Sequence, residues 1–127
     1  MIVADTHAWV WWIDWRHRLS KKARAALDGA DEIGVSVISC REVALLNMHG
    51  RLTLDRDVMV WITQALEVPQ IRLLDLTPQI AVASTRLDWR NDDPADRLIV
   101  ATAMAYRARI VSKDRRIRSL PLANAIW

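Results

Sequence analysis

The sequence is poor in cysteine, glycine, proline and phenylalanine, and these shortages limit what the chain can be. Its single cysteine, Cys40, excludes an internal disulfide and fits a reducing cytoplasm. Three glycines and four prolines leave little sequence for long loops or linkers. Hydrophobic residues make up 52% and charged residues 26%, which is the composition of a globular protein. We therefore expect one domain over residues 1–127.

The sequence also lacks a long apolar run. The richest stretch, residues 2–13, is interrupted by Asp5 and His7 and is too short to cross a bilayer. No basic leader precedes it, so we expect neither a signal peptide nor membrane insertion. There is no glycine-rich phosphate loop, and Cys40 has no ligand spacing with any histidine. These absences argue against nucleotide triphosphate binding and against a zinc site.

Strand-like and helix-like segments alternate along the chain. We expect strands at residues 1–5, 32–38, 71–76 and 109–112, with a last edge strand at 123–127. Helices are expected at residues 6–14, 20–27, 39–49, 57–66, 78–87 and 94–107. This alternation predicts an α/β fold with a mainly parallel sheet flanked by helices.

Four acidic residues, Asp5, Glu42, Asp96 and Asp114, fall where a strand ends or a helix begins. Each has an ordinary explanation: Glu42 could complete a capping box with Ser39, and the three aspartates could cap or begin helices and turns. In a parallel sheet, however, all four positions share the edge where ligands bind. Carboxylates gathered there repel one another unless a cation joins them. Together they predict a site for hard divalent cations.

Three segments carry a resemblance to a known family. Residues 3–8 (VADTHA), 93–103 (DPADRLIVATA) and 111–114 (VSKD) resemble motifs of PIN-domain nucleases, particularly the VapC-type toxins of bacterial toxin–antitoxin pairs. Glu42, on the helix after the second strand, matches the second acid of that family. Ser112 stands where threonine is common, and its hydroxyl can still orient a ligand or water.

The resemblance implies a PIN-like three-layer fold and an endoribonuclease that depends on Mg²⁺ or Mn²⁺. It also implies a homodimer that is silenced by a small antitoxin. The expected catalytic residues and metal ligands are Asp5, Glu42, Asp96 and Asp114. Thr6 and Ser112 are candidate hydrogen-bond donors to those ligands. Asp93 is either a helix cap or a further group of this kind.

Basic residues crowd around Asp114. The net charge is +3, and Lys113, Arg115 and Arg116 directly flank this acid. Such residues suit an RNA backbone beside an acidic metal site. They could equally form a solvated surface that contacts nothing.

Four of the seven tryptophans lie in or just after the first helix, on two of its faces. Trp9, Trp12 and Ile13 share one face, which predicts that they pack in the core. Trp11 and Trp15 lie four residues apart on another face. They either pack against the second helix or anchor a protein partner, because tryptophan is favoured at interface hot spots.

Two other functions fit part of the sequence. A receiver-like signalling domain also has a parallel sheet with acids at its edge, and Lys113 could serve as its lysine. That function leaves Glu42 and Asp96 without a role. A catalytically inactive binding module on the same PIN-type fold is the other alternative, and the presence of all four acids argues against it.

Overall fold

The computed structural model describes residues 1–127 and contains one central sheet. Its four strands are β1 (Ile2–Ala4), β2 (Ile33–Ser36), β3 (Ile71–Leu74) and β4 (Arg109–Val111), in the order β3-β2-β1-β4. Every neighbouring pair is parallel, with Val3 of β1 opposite Gly34 on one side and Ile110 on the other. The first strand therefore lies inside the sheet, and its carboxyl end opens between β2 and β4.

Seven helices cover the sheet. They are α1 (Thr6–Asp14), α2 (Lys21–Asp28), α3 (Val37–Met48), α4 (Val58–Leu66), α5 (Pro78–Thr85), α6 (Pro94–Ala105) and the short α7 (Arg115–Arg118). Single 3₁₀ turns follow at Arg16–Arg18 and Pro121–Ala123. No helix has the length and apolar character needed to span a membrane.

The strands send alternate side chains into two separate cores, as the pleat requires. Ile2 and Ala4 of β1 join one core, where Trp9 packs edge-on against Trp61 with ring centroids 5.4 Å apart. Val3, between them in sequence, joins the other core with Ile99 and neighbouring residues of α6. Two cores on opposite faces of one sheet make the three-layer α/β/α arrangement that the sequence predicts.

The second strand and the helix after it differ from the prediction. The strand ends at Ser36, and α3 begins at Val37 rather than near Ser39. Ser36 is the N-cap, and its hydroxyl accepts a hydrogen bond from the Ile38 backbone N–H. Two β-branched residues therefore start a helix because a cap is available before them, and propensity alone gave the wrong boundary.

The carboxyl-terminal segment forms less of a strand than predicted. Only Ile126 pairs with the sheet, through an isolated parallel bridge to Val111 of β4. The backbone before it turns through Asn124, whose φ of 45° lies in the left-handed region. A residue in that conformation interrupts an extended chain, which explains why residues 123–127 contribute one bridge rather than a fifth strand.

Candidate active site

All four predicted acids line one cavity of about 610 Å³ at the carboxyl edge of the sheet. Asp5, Glu42, Asp96 and Asp114 are joined there by Thr6 and Asp93. Elements far apart in sequence deliver them: the end of β1, the second turn of α3, the first turn of α6 and the loop after β4. The parallel sheet brings them together because its strands all end at the same edge.

Asp5 is fixed by its own backbone and by the start of α1. Its N–H donates to the Val111 carbonyl of β4 (3.1 Å), and its Oδ1 accepts from the Ala8 N–H (2.8 Å) as the N-cap of α1. The residue is only 7% exposed. Burial raises the pKa of Asp5, although hydrogen bonds from the Ser112 hydroxyl and the Ala8 backbone act in the opposite direction. A buried carboxyl of this kind favours a cationic partner.

Glu42 is held by a hydroxyl pair and not by a capping box. Thr6 donates its hydroxyl to Glu42 Oε1 (2.5 Å), and the hydroxyl oxygens of Thr6 and Ser39 are 3.0 Å apart. The capping-box interpretation of Ser39 and Glu42 is wrong, because Ser36 caps the helix and Ser39 is buried. Burial raises the pKa of Glu42, and the nearby carboxylates raise it further. The side chain points into the cavity.

Asp96 is positioned by residues just before it in sequence. Asp93 is the N-cap of α6, and its Oδ1 accepts from the backbone N–H groups of Ala95 (2.9 Å) and Asp96 (3.1 Å). Asn91 donates its side-chain amide to Asp96 Oδ2 at 2.8 Å. Burial raises the pKa of Asp96, while the Asn91 hydrogen bond lowers it. Of the two roles considered for Asp93, the structure shows the helix cap, at the rim of the same cavity.

The loop that carries Asn91 is organised by Arg97. The guanidinium donates to the backbone carbonyls of Ser84 (2.8 Å), Leu87 (2.8 Å), Trp89 (2.8 Å) and Asn91 (3.0 Å). Sequence reasoning missed both Asn91 and Arg97. The only available signal was their closeness to Asp96, which does not show that an arginine on a helix turns inward.

Asp114 is paired with an arginine. It caps α7 by accepting from the Arg116 N–H (2.7 Å), and its Oδ2 lies 3.0 Å from Arg116 Nη2. Partial burial would raise the pKa of Asp114, but the hydrogen bonds from Arg116 outweigh it, so the pKa lies below its usual range. Ser112 supports this turn, since its hydroxyl accepts from the Asp114 N–H at 3.0 Å.

Basic and aromatic groups complete the cavity. Of the three basic residues predicted to bind RNA, Lys113 and Arg116 line it, whereas Arg115 is exposed and does not. Arg51, which sequence reasoning missed, also lines it from the loop after α3. Lys113 Nζ lies 5.8 Å from the centroid of the Trp11 ring, a cation–π distance. The cavity therefore combines acids in its floor with cations around its mouth.

The two tryptophans considered as partner anchors line different cavities. Trp11 is half-buried at the acidic cavity, where its ring lies 5.4 Å from His7 and 6.0 Å from Trp127. Trp15 lines a separate depression with Asp14 and residues 53–55. Trp9 and Trp12, by contrast, are buried in the core as predicted. The i, i+4 spacing placed Trp11 and Trp15 on one helix face, but that face borders two surfaces.

The donor set fits a divalent cation, although the side chains do not yet converge on one point. Carboxylate oxygens, which all four acids supply, are the ligands that Mg²⁺ and Mn²⁺ prefer. In this arrangement no three Asp, Glu, His or Cys side chains lie close enough together to hold one ion. Thr6 and Arg116 instead bind oxygens of the carboxylates. Direct coordination would require these carboxylates to turn toward a common point.

A family model and a sequence relative identify the same protein family for this chain. The family model described as PIN domain matches residues 2–122. Ribonuclease VapC22 of Mycobacterium tuberculosis is 40% identical over 129 residues, covering 99% of this chain and 98% of that protein.

Two solved structures share the fold at low sequence identity. A toxin–antitoxin complex from Klebsiella pneumoniae superposes with a TM-score of 0.70 at 17% identity, covering 96% of this chain and 94% of its own. VapBC2 from Rickettsia felis, bound to a DNA fragment from its promoter, gives 0.69 at 16% identity, covering 98% and 97%. These likenesses bear out the predicted PIN-like α/β fold.

Proposed function

This chain belongs to the PIN-domain family, and on that premise we propose that it is an endoribonuclease that hydrolyses RNA phosphodiester bonds with the help of Mg²⁺ or Mn²⁺. We assign residues 1–127 to a single domain that acts as the toxin of a toxin–antitoxin pair. The similarity to a protein named Ribonuclease VapC22 supports the reaction and the substrate.

The observation that carries the proposal is the gathering of all four acids around one cavity. A receiver-like domain would need one acceptor aspartate and would leave Glu42 and Asp96 idle, yet both side chains line this cavity. Crowded carboxylates destabilise a fold. An inactive binding module would gain nothing in return from placing Glu42 beside Asp5 and Asp96 in one cavity. A catalytic metal site accounts for the cost of this arrangement.

The residues that line the cavity would have different roles in the reaction. Asp5, Glu42, Asp96 and Asp114 would hold the cation, with Thr6 and Ser112 orienting two of these carboxylates. When bound, Mg²⁺ or Mn²⁺ would supply Lewis acidity, which polarises the scissile phosphate and makes an attacking water more acidic. By holding the cation, the carboxylates would fix where the phosphate binds, and the partly enclosed cavity would strengthen the electrostatic interactions made there.

Basic residues at the mouth of the cavity would bind the RNA backbone. Lys113 and Arg51 line the cavity without an ion pair to any carboxylate, so their charges are available to phosphates. Arg116 is already paired, and Arg115 lies outside the cavity, where it would add only to the general positive field. Phosphate contacts of this kind give affinity without sequence preference.

Incubation of the purified protein with total RNA tests the proposal directly. We expect cleavage in millimolar Mg²⁺ or Mn²⁺, loss of cleavage in excess EDTA and recovery when metal is restored. The same cations should raise the melting temperature, because they bind the folded site and relieve repulsion among its carboxylates. Cleavage that continues unchanged in EDTA, or the absence of any cleavage with either metal, would contradict a metal-dependent ribonuclease.

The partners follow from the same family membership. We infer a small antitoxin as the inhibitory partner, a homodimer as the working form and the cytoplasm as the location. The solved structures that share this fold include toxin–antitoxin complexes, which supports an antitoxin as the partner. The single cysteine supports a reducing compartment.

Trp11 and Trp15 remain the predicted contacts for the antitoxin. Trp11→Ala and Trp15→Ala should each weaken binding of the cognate antitoxin by about 2 kcal/mol, because half-buried indoles at the surface have the character of hot spots. The two variants remove the same side chain from two neighbouring surfaces. Calorimetric titration of each variant measures the effect, with a melting curve to verify folding.

The two variants also show where the interface ends. Loss of affinity in Trp11→Ala alone would confine the contact to the acidic cavity, and loss in both would extend it to the depression beside Asp14 and Leu54. Unchanged affinity in both folded variants would remove the first helix from the antitoxin interface.

A further inference from the structure

The guanidinium of Arg116 lies between two carboxylates of the acidic cavity. Its Nη2 is 3.1 Å from Asp96 Oδ2 and 3.0 Å from Asp114 Oδ2, and its Nε is 3.3 Å from Asp114 Oδ1. The Arg116 side chain is 58% exposed, whereas those of Asp96 and Asp114 are 13% and 29% exposed. An exposed cation at the surface therefore reaches inward and joins two less exposed acids.

This bridge divides the cavity into two unlike halves. Both ion pairs in the cavity involve Arg116, and both lie on the side of Asp96 and Asp114. On the other side, Glu42 receives a hydroxyl from Thr6, and Asp5 receives hydrogen bonds from neutral groups. One half is thus neutralised by a full positive charge, and the other half keeps its acids without an ionic partner.

The oxygens that Arg116 occupies are those that a cation would need. Nη2 contacts Oδ2 of both aspartates, so an ion that bridged these oxygens would meet the guanidinium in the same space. Two positive charges at that point repel each other. The absence of any three convergent ligands is consistent with this competition, because Asp96 and Asp114 are turned toward Arg116.

We propose that Arg116 is a resident counter-ion, which bridges Asp96 and Asp114 in the metal-free protein and leaves Asp96 when a divalent cation binds. The inference rests on the proposed metal-dependent function of this cavity and assigns Arg116 a positioning role in it. The sequence suggested only that Arg116 contacts the RNA backbone. The role assigned here depends on whether a divalent cation is bound.

Open space next to the cavity gives the released side chain somewhere to go. A second cavity of about 640 Å³ shares Arg116 with the first, and its other lining residues, which include two acids, are Asp88, Trp89, Arg90, Asn91, Asp92 and Ser119. Arg116 is the second residue of α7, whose cap at Asp114 stays in place while the side chain rotates.

Manganese binding measured without RNA tests the role of Arg116. Arg116→Ala should bind Mn²⁺ about tenfold more tightly than the wild type in calorimetry at fixed ionic strength. A cation at this distance lowers the affinity of a carboxylate for another positive charge, and for a proton the effect is roughly one pKa unit or more, which is a factor of ten. Arg115→Ala is the matched control, since it removes the same charge one residue away from an exposed side chain that lines neither cavity. Equal Mn²⁺ affinity in the two variants, or weaker affinity in Arg116→Ala, would overturn the proposal.

Melting curves separate competition from a loss of structure. In EDTA, Arg116→Ala should melt below Arg115→Ala, because Asp96 and Asp114 lose their bridge. In saturating Mn²⁺ the difference should vanish or reverse, since the metal replaces the missing charge. A deficit that is the same with and without metal would mean that Arg116 only stabilises the fold.

Titration of the isotopically labelled wild type with Mg²⁺ observes the displacement itself. The Nε–H resonance of Arg116 should shift while that of Arg115 stays in place, and a stationary Arg116 resonance at saturation would contradict the proposal. Arg116→Lys, which keeps the charge but cannot bridge two carboxylates in the same way, should have a Mn²⁺ affinity between wild type and Arg116→Ala. These results are independent of RNA, so tighter metal binding by Arg116→Ala would stand even if the wild type cleaved no RNA.

Discussion

Glu42→Gln should reduce RNA cleavage by at least about a hundredfold, because even hydrogen-bond partners of metal ligands are worth 10- to 100-fold and Glu42 is a predicted ligand itself. The substitution keeps the length of the side chain and its Oε1 acceptor, so the Thr6 hydroxyl retains a partner. It removes the negative charge that a cation requires. The expected change is therefore in catalysis and in metal affinity.

The stability of Glu42→Gln should stay close to that of the wild type or rise slightly in EDTA. Burial and the nearby charges of Asp96, Asp93 and Asp5 raise the pKa of Glu42, which means that its ionised form is disfavoured in the folded protein. A neutral amide avoids that penalty. Melting curves in EDTA and cleavage rates in Mg²⁺ measure the two effects separately.

Glu67→Gln supplies the matched control for this experiment. The chemical change is the same, but Glu67 is exposed at the end of α4 and does not line the cavity. It should leave cleavage unaltered. If Glu42→Gln cleaved RNA as fast as Glu67→Gln, the carboxylate of Glu42 would have no part in catalysis.

The α/β fold was predictable because local signals and the global arrangement agree. Strands were predicted at residues 71–76 and 109–112, and the structure has them at Ile71–Leu74 and Arg109–Val111. Pro94 marks the start of α6, as predicted. Boundaries were less predictable where a cap competes with propensity. Val37 and Ile38 favour a strand by type, yet they open a helix because Ser36 caps it.

The positions of the acids were predictable, as were the two hydroxyls of Thr6 and Ser112 near them, but the carboxylate that each hydroxyl meets was not. Asp5 and Asp114 follow strands, so the parallel sheet alone brings them to one edge. The capping box considered for Ser39 and Glu42 does not form, since spacing in sequence cannot distinguish a cap from a buried hydroxyl that faces another helix. Thr6 comes to Glu42 from 36 residues away, a contact that only the tertiary structure defines.

The supporting arginines were the hardest to foresee. Arg97, Arg115 and Arg116 are chemically alike in the sequence, yet one turns inward to four carbonyls, one is exposed and one bridges two acids. Their roles depend on side-chain direction and on the path of distant loops. A charge count around Asp114 therefore predicted a positive surface and could not assign the individual residues.

Arg97→Met should lower the free energy of unfolding by about 3 kcal/mol, since it leaves partly buried carbonyls without the charged donor that now joins them. Four backbone carbonyls, those of Ser84, Leu87, Trp89 and Asn91, lose their hydrogen bonds together. The loop that ends at Asn91 then loses its anchor, and Asn91 no longer holds Asp96. We expect cleavage and Mn²⁺ affinity to fall along with stability.

Urea unfolding of Arg97→Met and Arg86→Met measures this effect against a matched control. Arg86 is exposed at the end of α5, so the same substitution there should cost little. Arg97→Lys provides a milder variant if Arg97→Met does not fold. A single ammonium cannot reach carbonyls spread along residues 84–91, so most of the loss should remain. Equal unfolding midpoints for Arg97→Lys, Arg86→Met and the wild type would show that the loop, and with it Asn91 and Asp96, is held by other contacts.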